Sequence, residues 1–269
     1  MTPFLARRER FDSVASTNDV VRGWLDAGTP EVCLASADVQ TVGRGREGRR
    51  WVAPPGTALL LSLGFRPGWL EPDRVWRLAA LASLAMADAA EATTGLPAGT
   101  IRLKWPNDLV IAADPHAVRK LAGVLGETDG LGTADPRVVV GIGLNAEWAA
   151  ADFPPDLGPA MTSLSEAAGG RPVDRGRLLD AFLARLQPAV EDLRGGVFDG
   201  AEWERRQVTN GRTIRLDTPV GEQVVRAIGV DASTGALVID DPEAASGRRQ
   251  VVVGDIRHVR LAAPIAGSV

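Results

Sequence analysis

The run Gly43-Arg44-Gly45-Arg46-Glu47-Gly48-Arg49-Arg50-Trp51 holds the densest chemistry in the chain. Its glycines let the backbone approach a ligand and turn N–H groups toward an anion. Its arginines supply permanent positive charge and forked donors suited to phosphate or carboxylate. Trp51 adds a flat face for a base or an aliphatic stem. The same composition also describes a solvated basic loop or a nucleic-acid-binding patch, and Glu47 weakens the second of these.

Three further segments carry polar groups beside small residues. Lys104-Trp105-Pro106-Asn107-Asp108 gathers a lysine, an amide and a carboxylate around one turn. Such a carboxylate beside phosphates can hold Mg²⁺ through oxygen ligands and waters. Pro-Asn-Asp is equally good turn chemistry, and Trp105 a good core residue. In Arg119-Lys120-Leu121-Ala122-Gly123-Val124-Leu125-Gly126-Glu127, Lys120 stands at the entrance of an apolar strand interrupted by Gly123. That is a close approach to a ligand, or a lysine guarding a sheet edge. Val138-Val139-Val140-Gly141-Ile142-Gly143-Leu144-Asn145 suits a strand lined against a ligand or packed tightly on a helix. No helix opens directly after it, so its GxG is not a dinucleotide fingerprint. One reaction needs all these groups. Activating an acid with ATP brings a carboxylate to the α-phosphate, and Arg, Lys, backbone N–H groups and a metal must offset the repulsion.

The elements that must position these groups follow from patterning. Ser16-Thr17-Asn18-Asp19 reads as a helix start, with Ser16 as cap and Asp19 completing a capping box; Val20, Val21, Trp24 and Leu25 give one apolar face, and Gly28 ends the helix. Strands are expected at Val32–Asp38, Ala58–Phe65, Ile101–Trp105, Leu109–Ala112, Leu121–Glu127 and Val138–Leu144. A long helix is expected from Pro72 to about Ala92, with Val75, Leu78, Ala79, Ala82, Met86 and Ala89 toward the core. Asp174 caps another, with Leu178, Leu179, Phe182, Leu186, Val190 and Leu193 inward, and Pro188 should disturb it. After about Gly211 short alternating strands follow one another at Thr213–Leu216, Gln223–Val230, Ala236–Asp240, Gln250–Val253 and Arg257–Leu261. The expected class is α+β: residues 1–209 form a mixed sheet with helices packed on one face, and residues 210–269 a small all-β barrel.

Composition excludes several classes. Cys33 is the only cysteine and His116 and His258 the only histidines, which argues against disulfides, zinc and a His-rich metal centre. There is no apolar run of membrane-spanning length and no secretion signal, so a cytoplasmic protein is expected, with no membrane partner. With a net charge of −4, any anion site is local.

In order, Ser16-Thr17-Asn18, Gln40-Thr41-Val42-Gly43-Arg44-Gly45-Arg46, Lys104-Trp105-Pro106-Asn107-Asp108, Arg119-Lys120-Leu121-Ala122-Gly123-Val124-Leu125 and Gly141-Ile142-Gly143-Leu144-Asn145 resemble the biotin–protein ligase family, from Phe11 to Leu261. The resemblance implies a class II synthetase-like catalytic domain with a Src-homology-3-like barrel. It implies ATP and biotin as substrates, Mg²⁺, and the carrier domain of a biotin-dependent carboxylase as acceptor. Ser16, Thr17, Asn18 and Gln40 would bind the ureido ring, and Gly123 and Gly141 would line the biotin slot. Gly43 to Gly48, Gly45 among them, would form the biotin- and adenylate-binding loop, mobile until ligand arrives, with Arg44 and Arg46 gripping the biotinyl carboxylate and phosphate, and Gly43–Arg50 would serve as a lid. Arg49, Arg50, Trp51, Lys104, Asn107 and Asn145 would face ATP, Lys120 would bridge the two anions, Arg46 would assist it, and Asp108 would meet Mg²⁺. Many bacterial members begin with a DNA-binding domain; none precedes Ser16, so no specific DNA binding is expected. Monomer and homodimer both stay open. Asp114-Pro115-His116-Ala117 is expected as a surface excursion. A lipoate–protein ligase and a non-catalytic binding module are the rival readings.

Overall fold

The computed structural model describes residues 4–112, 118–219, 221–253 and 258–261. In chain order its main strands and helices are β1 (Arg7–Val14), α1 (Thr17–Asp26), β2 (Cys33–Gln40), β3 (Ala58–Phe65), α2 (Trp76–Thr94), β4 (Ile101–Lys104), β5 (Asp108–Ala112), β6 (Val118–Asp129), β7 (Arg137–Asn145), α3 (Leu164–Ala167), α4 (Arg175–Arg194), α5 (Gly200–Arg205), β8 (Thr213–Thr218), β9 (Gly221–Val230), β10 (Leu237–Asp240), β11 (Arg248–Val251) and β12 (His258–Leu261). The first seven strands form one mixed sheet in the order β1-β2-β3-β7-β6-β5-β4. Only β1 and β2 pair in parallel, because α1 is the crossover between them. Short connections make every other pair antiparallel.

The two faces of this sheet are built differently. Leu59, Leu61, Leu63 and Phe65 of β3 and Val138, Val140, Ile142 and Leu144 of β7 point into one large core with α2 and α4. Helix α2 lies between that face and α4, so it is buried on most sides, and its many alanines permit the close approach. The alternate residues face the other way, where α1 packs. Its stripe Thr17, Asn18, Val21, Trp24 and Leu25 has helical spacing, and Val21, Trp24 and Leu25 meet Cys33, Ala35 and Val139. A Cβ at Gly64 would stand 2.6 Å from both Cys33 Sγ and Val21, so glycine lets α1 seat. Helices on one face therefore describes α2 and α4, while α1 alone covers part of the opposite face.

Two local expectations change. Ser16 occupies the N-cap position of α1 but its side chain makes no cap hydrogen bond, and Asp19 pairs with arginines instead. Helix α4 is capped by Asp174, which accepts from Arg177 N–H, and it runs unbroken through Pro188. Pro188 and Ala184, whose carbonyl loses its donor, both lie on the exposed side, where water can satisfy it.

The expected all-β C-terminal part is a five-stranded antiparallel sheet in the order β11-β10-β9-β8-β12. Its apolar side chains, Ile214, Leu216, Leu237 and Ile239 among them, continue the main core. Trp105 Nε1 donates to Gly235 carbonyl at 3.0 Å and Trp105 N–H to Thr209 Oγ1 at 3.1 Å, which ties this sheet to the β4–β5 turn. The excursion expected at Asp114–Ala117 and the strand start at Arg257 lie outside the described residues.

Candidate active site

Ladder register sets out the site on the α1 face. Residues directly opposite in adjacent strands share a face. Lys104 opposes Asp108, Asp108 opposes Gly123, Gly123 opposes Gly143 and Gly143 opposes Leu60, so these five form one row across five strands. The next row on the same face is Leu125, Gly141, Ser62 and Ala35. Lys120, three residues before Gly123, should point away from it in a regular strand. A register shift opposite Leu109 and Val110 inserts one extra residue in β6 and reverses the alternation. Lys120 Nζ consequently lies 3.3 Å from where a Cβ on Gly123 would stand.

The charged end of the first row is compact. Lys120 Nζ lies 2.6 Å from one Asp108 oxygen and Lys104 Nζ 3.5 Å from the other. Burial pushes the Lys104 ammonium below the ordinary lysine range, with the Asp108 charge opposing it. Lys120 Nζ also stands 5.6 Å from the centroid of Trp51. Trp51 lies across the glycine row: a Cβ on Gly143 would fall 2.5 Å from its indole, and one on Gly123 would fall 3.2 Å away. Asn107 locks the turn to β6, its amide donating to Val124 carbonyl at 2.8 Å while its own carbonyl accepts from Val124 N–H at 2.8 Å.

At the other end, Ser16, Thr17 and Asn18 are buried at the start of α1. Thr17 donates through N–H (2.8 Å) and hydroxyl (3.1 Å) to Gln40 Oε1. Ser62 Oγ lies 2.7 Å from Thr17 Oγ1 and 2.5 Å from Asn18 Oδ1, and its single proton serves one of them at a time. Asn18 Nδ2 donates to Glu127 at 2.6 Å. Asn18 is thus held at both ends and packs on Gly141, where a Cβ would run into its amide, with Cγ 3.0 Å away.

The glycine-arginine loop is a closed hairpin rooted at Gly43, whose carbonyl accepts from Trp51 N–H at 2.9 Å; Gly45 N–H donates to Arg49 carbonyl at 2.7 Å. Arg44 turns inward and makes a two-pronged pair with Asp19, at 2.6 and 2.7 Å. Arg46 reaches toward the C-terminal sheet, donating to Val253 carbonyl at 3.1 Å, and burial pushes its guanidinium below the ordinary arginine range. Arg49 and Arg50 lie on the exposed side of the loop. Asn145 is fully buried; its amide donates to Thr162 carbonyl at 3.0 Å, and its Oδ1 has no partner among the described residues. A cavity of about 290 Å³ opens between α2 and the β4–β5 turn, with Arg46, Lys104, Asn107 and Asp108 at its polar end.

The structure therefore brings together Ser16, Thr17, Asn18, Gln40, Gly43, Arg44, Trp51, Lys104, Asp108, Lys120, Gly123 and Gly141, and leaves Arg49 and Arg50 outside that convergence. Sequence reasoning passed over Asp19's pairing role, Ser62 and Glu127. A lone hydroxyl in the buried apolar strand Ala58–Phe65 was the available signal for Ser62. The donor set does not fit a metal held by the protein. The Asp108 carboxylate lies between two ammonium groups, and among the described residues no three Asp, Glu, His or Cys side chains converge.

The model of the biotin/lipoate A/B protein ligase family matches residues 11–145. A biotin–[acetyl-CoA-carboxylase] ligase of Mycobacterium tuberculosis is 34% identical over 228 residues, covering 83% of this chain and 78% of that protein. A bifunctional ligase/repressor BirA of Bacillus spizizenii is 30% identical over 247 residues, covering 91% of this chain and 72% of that one. A biotin protein ligase from Aquifex aeolicus, solved in complex with biotin and ATP, shares the fold with a TM-score of 0.76 at 24% identity, covering 95% of this chain and 99% of that chain.

Proposed function

The chain belongs to the biotin/lipoate A/B protein ligase family, and we propose that within it this protein activates biotin with ATP and transfers it to a lysine of a biotin carboxyl carrier domain. One observation carries the chemistry: Lys104, Asp108, Gly123 and Gly143 form a row across the sheet, and Lys120 folds over it. Two cations there meet a floor without side chains, so two anions can be drawn together above it.

In the first step a biotin carboxylate oxygen attacks the α-phosphorus of ATP and pyrophosphate leaves, giving biotinyl-5′-AMP. Both reactants are anionic. Lys120 and Arg46 offset charge that gathers on the phosphate oxygens, so their contribution is electrostatic and positional. In the second step the acceptor amine attacks the mixed anhydride, loses a proton and expels AMP. The buried polar group of Ser16, Thr17 and Gln40 suits a neutral ring with donors and acceptors, and Gly141 lets the Asn18 amide pack close beside it. Trp51 and Asn145 are assigned to the nucleotide side, with Lys104 and Asn107 toward the phosphates. A divalent cation would arrive with ATP, since among the described residues no three Asp, Glu, His or Cys side chains converge to hold one. We assign no DNA-binding role.

Relatives named biotin–[acetyl-CoA-carboxylase] ligase favour biotin over lipoate, and they favour a carboxylase carrier domain as acceptor. The deciding experiment is pyrophosphate exchange into ATP by the purified protein. Exchange with biotin is expected; exchange with lipoate and not biotin overturns the assignment.

A further inference from the structure

The Asp19–Arg44 pair stands inside a small network that joins three elements. Arg44 comes from the loop, Asp19 from the first turn of α1, and Glu127 from β6. Both prongs of Arg44 engage Asp19. Arg22, one turn along α1, lies 2.9 Å from Asp19 and 2.8 Å from Glu127, and Arg44 lies 3.6 Å from Glu127. Glu127 also receives the Asn18 amide. Two carboxylates therefore balance two guanidinium groups. A guanidinium held in this way presents little charge to an incoming anion, whereas a fork-to-carboxylate pair fixes geometry well.

Position gives the network its consequence. Asp19 is two residues from Thr17, which binds Gln40, and the amide nitrogen of Gln40 lies 3.3 Å from where a Cβ on Gly43 would stand. The loop root is thus connected to α1 twice, through Gln40 and through Arg44. Resting on the adenylation reading above, we propose that Asp19 is a positioning residue. Its pair with Arg44, braced by Glu127 and Arg22, holds the root of the loop over the glycine row before ligand binds. Arg44 is then a strut, and Arg46 with Lys120 carries the charge that meets the anions.

A double-mutant cycle on the full chain tests this, with Asp19→Asn, Arg44→Gln, the double variant and Asp19→Glu. The first readout is nicking of the ligand-free loop by a protease of broad specificity. The second is KM for biotin and kcat in pyrophosphate exchange. Thermal melts confirm that each variant is folded; both side chains are partly exposed, so they should be. Each single variant is expected to speed nicking and raise KM by about five- to tenfold, with kcat changed less than about threefold, and the double variant should be no worse than the worse single one. Asp19→Glu should restore most of both. Additive effects overturn the proposal. So does an Arg44→Gln variant that loses kcat while Asp19→Asn leaves nicking and KM unchanged, since Arg44 would then act on the anion directly. If wild type shows no biotin-dependent exchange while nicking stays coupled, the adenylation reading fails and the strut stands.

Discussion

Gly141 and Gly143 lie two residues apart on one face of β7, yet alanine should harm the protein in opposite ways. At Gly141 the added methyl meets Asn18, which Ser62 and Glu127 hold at both ends on a buried helix turn. Neither helix nor central strand can yield cheaply, so overpacking of about 1–3 kcal/mol is expected, with part of a buried hydrogen bond lost besides. About 2 kcal/mol should lower Tm by roughly 4–8 °C in a chain of this size. At Gly143 the methyl meets the Trp51 indole at 2.5–2.9 Å. Trp51 sits on a loop and its Nε1 has no partner among the described residues, so the ring gives way and the fold does not. Gly143→Ala should melt within a few degrees of wild type, show altered tryptophan fluorescence, and lose most exchange activity. Differential scanning calorimetry beside pyrophosphate exchange separates the two. A Gly143→Ala variant as destabilised as Gly141→Ala would refute the view that β7 is rigid and Trp51 mobile.

Three other outcomes follow from the same geometry. Lys120→Ala should slow single-turnover adenylate formation by about a hundred- to thousandfold with the fold retained, as for loss of one oriented charge at a developing anion; a wild-type rate would make Lys120 an edge lysine. Lys104→Met should lose activity yet keep stability or gain up to about 1 kcal/mol, because the ammonium is buried at a cost. Since burial lowers its folded pKa, the unfolded chain binds more protons between that value and the ordinary lysine range; wild-type stability should rise with pH across that alkaline window, and Lys104→Met should flatten the rise in urea titrations. Ser62→Ala leaves Asn18 Oδ1 without its donor in a dry layer, so denaturant melts should show a loss of about 1–3 kcal/mol and KM for biotin should rise; unchanged values in both would leave Ser62 without a role.

Most strands were legible because their periods are unambiguous. Apart from Ser62, Ala58–Phe65 is apolar, being covered on both faces, and the Pro106-Asn107 turn bounds β4 and β5 by its own chemistry. The N-cap of α4 was legible for the same local reason. What escaped depends on tertiary choices that no window of residues contains. Nothing in Lys120-Leu121-Ala122-Gly123 announces a bulge, since Leu121 and Ala122 suit a regular strand equally well. Only pairing with β5 sets the phase that turns Lys120 over Gly123. The partner of Arg44 was hidden likewise: Asp19 satisfies a capping-box pattern, and whether it caps or pairs is settled by a loop 25 residues on.

The arrangement of α1 explains why these hidden features cluster. A sheet face packed on two long helices is filled by Leu, Val and Ile, and its residues are read from hydrophobic period alone. The opposite face carries one ten-residue helix, which reaches only part of the strands. Where the helix does not reach, the strands carry glycine at 123 and 143, so that the Trp51 indole can lie against the sheet itself, and Gly141 admits Asn18. A floor without side chains has no charge of its own. Apart from Ser62 and Lys120 on the strands, the polar groups come from the rim: Lys104 and Asp108 from one edge, Thr17 and Asn18 from the helix start, Arg44 and Arg46 from the loop. Rim groups drawn from distant segments must be held by one another, which is why the Asp108–Lys120 and Asp19–Arg44 pairs arise where they do. The pairs are thus as much a requirement of the glycine floor as the glycines are. Removing a pair should therefore loosen ligand geometry before it affects the fold.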